Sequence, residues 1–328
     1  MAMPVVDPPA MPVAPVRHEV LQSVYVHRLL STTQVHALHA PHTSRRWIQG
    51  VLAGLERDRY LDRVTTARAR QALWFVTDQG AEACEGSGVP SRPYRMTSER
   101  AAGPLQAHTL AVNEVGLAFV AAARERGDDF DAWSWRHESA HPLGEREGKG
   151  EVVIADAVLD YTAHGDGTVL CRFLELDRAT MPLRELEAKL TAYARLYQFR
   201  PKVGGWRAYY PQWPKVLIVF CGKPAPALER RMRSLLELVA SNRNLGDVHD
   251  PESDFDIFLT LLEDLRRTGP FSPVFWRPGS PQTPVDVLGR PAPGPAPAPR
   301  PSHADAGGRG GRFSTPSERG RAPHGART

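Results

Sequence analysis

Read for the spacing of apolar positions, the first ninety residues pass from a helical period to a strand period and back. Residues 18–30 set Val20, Leu21, Val24 and Leu29 at helical intervals. A second helix is expected from Thr32 or Thr33, where a hydroxyl caps the turn that carries Val35 and Leu38. Pro41 stops it, and Thr43 is the expected cap of a third helix running to about Arg57. In that third helix Trp47, Ile48, Val51, Leu52 and Leu55 gather on one face, the face expected to point inward. Arg46, Gln49, Ala53 and Arg57 fall on the opposite face, with Arg45 at its border. The pattern then shifts to strand formers at 60–65 and 73–77, joined by a short basic connection holding Arg68 and Arg70. Another short helix opens at 78–80. Three helices followed by a hairpin is the order of a winged helix-turn-helix, assigned to 17–90.

Pro90, Pro93, Gly103 and Pro104 interrupt the pattern and mark a linker over 91–104. Beyond it, 105–126 reads as a strong helix, and Trp133, Trp135 and His137 alternate with Ser134 and Arg136 as a strand does. Two strand candidates follow, 152–161 and 168–176, and each carries an acid inside an apolar run: Asp156 in the first and Glu175 in the second. A carboxylate there is costly unless it is paired or binds a metal. The expected helix over 182–199 has Leu183, Leu186, Leu190, Tyr193 and Tyr197 on its apolar face, with Lys189 at the margin where it can lean toward those acids. A strand at 216–221, helices at 228–241 and 254–267, and an apolar run at 274–276 complete this second domain, 105–278. The class implied is α+β to α/β with a mixed central sheet.

Both ends, 1–16 and 279–328, read as disordered, being rich in Pro with Ala, Gly or Arg and poor in aromatics. The C-terminal segment holds seven arginines against three acids, which accounts for the whole net charge of +4. It is either a basic arm attracting phosphates or a solvated linker. Residues 17–75 hold nine arginines and four acids, so positive charge collects where a winged helix meets DNA. His27, His36, His39 and His42 in this stretch lack the cysteines or carboxylate that a metal site would pair with them. Three distant cysteines (Cys84, Cys171, Cys221) fit neither zinc spacing nor a disulfide framework, and a cytoplasmic location is expected. No segment approaches the ~18 apolar residues of a membrane span.

Helix, three strands, helix, strand, with acids on the second and third strands, resembles the PD-(D/E)XK nuclease superfamily. More closely, His108 to Asn113, Trp135 with Glu138, Ala155-Asp156-Ala157, Leu174 to Thr180, and Lys189-Leu190 with Tyr193-Ala194 resemble the replication-relaxation proteins of actinobacterial plasmids and integrative elements. That resemblance implies roles in plasmid replication and in relaxation of plasmid DNA. It implies Mg²⁺ held by Asp156 and Glu175, with Lys189 assisting a nicking reaction. Ala155 stands where the superfamily has proline, and Asp177 where it has lysine, so an active nuclease and a degenerate one both stay open. Asp177 either joins the metal or caps the next helix. The expected DNA contacts are Arg45, Arg46, Gln49, Arg57, Arg68 and Arg70 on double-stranded DNA. A homodimer and replication or transfer proteins are further expected partners, and a membrane is not. The competing reading is a winged-helix transcriptional regulator whose second domain does not cut.

Overall fold

The computed structural model describes residues 15–65, 72–92, 95–143, 152–199, 205–249 and 253–292. Its N-terminal lobe runs α1 (Pro15–His27), β1 (Leu30–Ser31), α2 (Thr32–His39), α3 (Arg45–Arg57), β2 (Leu61–Thr65), β3 (Ala72–Val76) and α4 (Asp78–Gly86). Ser31 and Gln34 form a reciprocal capping box at α2, so the helix begins at the expected Thr32. The cap of α3 is Ser44, whose side chain makes no capping bond; the Thr43 hydroxyl is turned away and donates to Ala40 O. The three strands pair antiparallel in the order β1-β3-β2. Ile48, Leu52 and Leu55 seal the lobe core against Val20, Leu21 and Val24 of α1. Trp47, expected inward, is 45% exposed. Those three residues fill the inward stripe at i, i+4 and i+7, and Trp47 is turned about 100° from Ile48, to its edge.

The expected linker contains a short helix, α5 (Ser98–Ala102), before α6 (Gln106–Arg126). Then come β4 (Trp135–Pro142), β5 (Val152–Thr162), β6 (Val169–Asp177), α7 (Leu183–Gln198), β7 (Lys215–Phe220) and α8 (Ala225–Ser241). The chain continues with β8 (Ile257–Leu261), α9 (Leu262–Thr268), β9 (Phe275–Arg277) and β10 (Ser280–Val285). These strands make a seven-stranded mixed sheet in the order β10-β9-β8-β7-β6-β5-β4. The central β6-β7-β8 ladder is parallel and both flanks are antiparallel. The helices α7 and α8 cover one face, with Leu186, Leu190, Leu228 and Leu235 in its core. On the other face α6 and α9 bring Val115, Phe119 and Leu265.

The helix expected over 254–267 is instead strand β8 followed by α9. Residues Ile257–Leu261 are buried on both sides of a parallel ladder, and a short apolar run of that kind has no period that separates strand from helix. The sheet also extends into residues assigned to the C-terminal tail. Pro281 and Pro284 sit in β10 at the sheet edge, where a missing N–H is tolerated. Residues 293–328, with most of the basic tail, lie outside the described residues, as do Arg68, Arg70 and residues 1–14.

A buried polar seam joins the N-terminal lobe to the sheet. His27 Nε2–H donates to Ala132 O at 2.8 Å, which leaves its Nδ1 as an acceptor 3.4 Å from His137 Nε2. His137 Nε2–H also reaches Asn113 Oδ1 at 2.9 Å, and Asn113 Nδ2 donates to Leu29 O at 2.9 Å. The His27 ring stacks on Trp135 with centroids 4.0 Å apart. Burial drives His27 down to about 3 and His137 well below its usual value, so both rings are neutral in the seam. Arg28 and Glu138 form an ion pair beside it, each with left-handed backbone (φ 68° and 50°). Left-handed φ is costly for residues with a Cβ and persists where packing imposes it.

Candidate functional site

Two places gather the chemistry expected from the sequence. The first is the outward face of α3. Its buried stripe orients the helix, and Arg45, Arg46, Gln49, Ala53 and Arg57 are all exposed. The nearby acids are engaged elsewhere: Glu56 pairs with Arg63 at 3.0 Å, and Asp58 pairs with Arg17. Arg63 also lies over the Trp74 ring, 5.5 Å from its centroid. A cleft lined by Arg45, Gln49, Ala53, Arg63 and Trp74 therefore connects the helix to the small sheet. Two histidines of this lobe have separate oxygen partners, His36 with Thr43 O and His39 with Ser23 Oγ, both at 2.9 Å.

The second is an acid cluster on β5 and β6. Their register pairs Ala157 with Leu174, so the next position outward sets Asp156 opposite Glu175. Glu175 points to the face of β6 that carries Cys171 and Phe173, and α7 crosses that face. Lys189 of α7 reaches both acids, with Nζ 2.5 Å from Glu175 Oε2 and 3.9 Å from Asp156 Oδ1. One turn further along α7, the Tyr193 hydroxyl donates to Glu175 Oε1 at 2.5 Å. Asp156 Oδ2 accepts the Leu176 N–H at 2.8 Å and lies 3.4 Å from His108 Nε2 of α6. The structure thus brings Asp156, Glu175 and Lys189 together.

The two carboxyls experience different fields. Burial and the neighbouring Asp156 charge raise Glu175 to about 8, against the pull of Lys189 and Tyr193. Burial also pushes Asp156 upward, but His108, Lys189 and the Leu176 N–H together outweigh it and hold Asp156 below the usual carboxylate range. Burial and the Glu175 charge lift Tyr193 well above its usual value, which keeps it a hydroxyl donor. Two carboxyls with separated proton affinities and a shared ammonium form a poised acid–base group. His108, which touches Asp156, also lines a cavity with Arg28, Leu29, Met96, Leu105 and Glu138.

Mg²⁺ commonly takes one or two protein carboxylates and completes its shell with phosphates and water. The donor types here suit that chemistry, but the arrangement does not offer it an open position. The Lys189 ammonium bridges the two acids, and both Glu175 oxygens already accept hydrogen bonds. Among the described residues, no group of three or more His, Cys, Asp and Glu side chains is placed to hold a metal ion. Asp177 takes neither edge of the cluster. It is buried against Arg231, with Arg231 Nε 2.5 Å from its Oδ2, and its Oδ1 accepts the Ala179 N–H at 2.9 Å.

His108 and Arg231 were not assigned roles from the sequence. His108 belongs to the run that opens α6, and Arg231 lies 54 residues from its partner with no pattern linking them. Tyr193 carried a usable signal, being one helical turn beyond Lys189 on the same helix.

A family model described as replication-relaxation matches residues 21–206, spanning all of the α3 face described and the acid cluster. No curated protein and no solved structure matches the chain. No helix among the described residues is long and apolar enough to cross a membrane. With more than half of its length matched, the chain belongs to the replication-relaxation family, whose name ties it to DNA replication and DNA relaxation.

Proposed function

We propose that this chain is a double-stranded-DNA-binding protein of plasmid or mobile-element replication, which docks α3 in the major groove. One observation carries the reading: Arg45, Arg46, Gln49 and Arg57 are exposed together on a helix whose other face is sealed into a core. Arg and Gln at such positions reach base edges and phosphates, and the outward face has no acid to repel the polyanion. A winged-helix reading fits the order of three helices and a small antiparallel sheet. The test is retention of a labelled duplex, selected by the full-length chain from a random pool, with and without Arg46→Ala plus Gln49→Ala. Weaker binding with blurred site preference is expected; binding equal to the parent overturns the groove assignment.

A second reading, in which the chain also nicks DNA, is favoured by the convergence of Asp156, Glu175 and Lys189. It requires a divalent ion to enter where Lys189 now compensates the acids. Supercoiled plasmid incubated with and without Mg²⁺ or Mn²⁺ tests it. Metal-dependent relaxation or nicking that disappears in Asp156→Ala and Glu175→Ala supports cutting. No conversion leaves a binding protein, and a footprint on the protein's own promoter in place of an origin favours a transcriptional regulator.

A further inference from the structure

Trp47 and Gly50 lie outside the buried stripe of α3. The inward stripe of α3 is complete without Trp47, whose ring is 45% exposed in the first turn beside Arg46. An indole left nearly half exposed is an unusual use of a large apolar side chain, and such groups are enriched where a partner covers them. Gly50 follows three positions later, on the neighbouring part of the same surface. A Cβ built there meets nothing within 4 Å, whereas one at Gly54 meets the Arg17 guanidinium at 3.7 Å. Gly50 is the sixth of thirteen residues in the helix, a place where glycine is unfavourable relative to alanine. Neither packing nor backbone conformation within the chain explains it. What glycine offers on an outer helix face is close approach of something else to the backbone.

The surroundings say what approaches. Arg45 and Arg46 flank the pair on one side and Arg57 ends the same helix, while Glu56 is committed to Arg63. That charge pattern fits a polyanion. In the major groove of duplex DNA, the thymine C5-methyl is the apolar group on the base edges. We propose that Gly50 lets the α3 backbone sit against a base-pair edge, and that Trp47 packs on a thymine methyl beside it, making this pair the sequence-reading centre. The proposal rests on the DNA-binding reading and adds to it which base is read and by which residues.

The experiment uses the full chain and the duplex that it selects from a random pool. Each thymine of that duplex is replaced in turn by deoxyuridine, which removes only the methyl. At one position the parent is expected to lose about fourfold in affinity, the worth of one buried methyl group. Trp47→Ala binds the thymine duplex at least about tenfold more weakly and does not register the methyl at that position. Gly50→Leu weakens binding by at least about tenfold because the helix is held off. Gly50→Ala raises the thermal midpoint by about 2–4 °C while lowering affinity, a split that a structural role would not give. If Gly50→Leu binds as the parent does, or if no position separates parent from Trp47→Ala, the proposal fails. Should Gly50→Leu not fold, the deoxyuridine comparison with Trp47→Ala decides alone. Arg46→Ala and Arg57→Ala separate the two levels: if they weaken binding while the Trp47 and Gly50 variants do not, only this inference falls. If they too bind as the parent does, the DNA reading falls with it.

Discussion

Replacing Lys189 by methionine removes the ammonium that compensates two acids while keeping the length and apolar stem of the side chain. Lys189 Nζ is 2.5 Å from a Glu175 oxygen, and the Glu175 side chain is only 4% exposed. Removing one partner of a buried pair typically costs about 3–5 kcal/mol. The Lys189 side chain is 32% exposed, so water recovers part of this, and about 2–3 kcal/mol is the expected loss when Glu175 is ionised. The loss must depend on pH. The folded value of Glu175, about 8, lies above its ordinary 4.5, so the folded state holds a proton that the unfolded chain releases. Glu175 therefore lowers stability as pH rises from about 4.5 to about 8. Lys189 pulls that value down, so without it the folded carboxyl titrates higher still. At about pH 6.5 the variant keeps Glu175 neutral and bonded to Tyr193, and the difference from the parent should be about 1 kcal/mol or less. At about pH 9.5 the full loss should appear. Urea unfolding of both proteins at the two pH values measures this directly. Equal losses at both, or a larger loss at the lower pH, would refute the account of a buried, ammonium-compensated acid. In the pH range where Glu175 is ionised, added Mg²⁺ should raise the thermal midpoint of Lys189→Met more than that of the parent, because the variant leaves Glu175 charged beside Asp156 with no ammonium between them.

Gly116→Ala gains about 1 kcal/mol of helix propensity but sets its Cβ against a ring that cannot yield. That Cβ falls 2.5 Å from Trp135 Cε2, and Trp135 is stacked between His27 and Phe130. The net loss should be about 1–2 kcal/mol, a fall of about 2–8 °C in thermal midpoint, and a rise would contradict the packing described. Asp177→Asn leaves the Arg231 guanidinium facing a neutral amide and should cost about 2–3 kcal/mol in chemical denaturation, with no loss expected if the pair is dispensable. Arg57→Ala should reduce the slope of log affinity against log salt by about 0.9, the signature of one lost phosphate contact, and an unchanged slope removes Arg57 from the interface.

The elements legible in the sequence were those whose period spans a whole helix or strand. The cationic face of α3 and the acids of β5 and β6 could be read because each breaks an apolar pattern at a definite position. Trp47 was expected inward and is not, because the arc of a helix wheel that points inward depends on how far its neighbours extend over it. The run at Ile257–Leu261 carries no period of its own, and only pairing with β7 makes it a strand. The histidine seam was invisible for a different reason. His27, Asn113 and His137 meet across gaps of 86 and 24 residues, and such contacts leave no local signature. Lys189 was found because its helix directly follows the strand it serves, whereas the partner of Asp177 comes from α8.

The neutral imidazoles and indole packed between the two lobes have a consequence for target geometry. Bending at that junction would break hydrogen bonds of buried and half-buried groups, so the N-terminal lobe and the sheet resist hinging, as the jaws of a locked caliper do. On the reading in which α3 docks on DNA and the acid cluster cuts it, the protein sets the spacing between docking and cutting, and inserting base pairs between the two should abolish one of them.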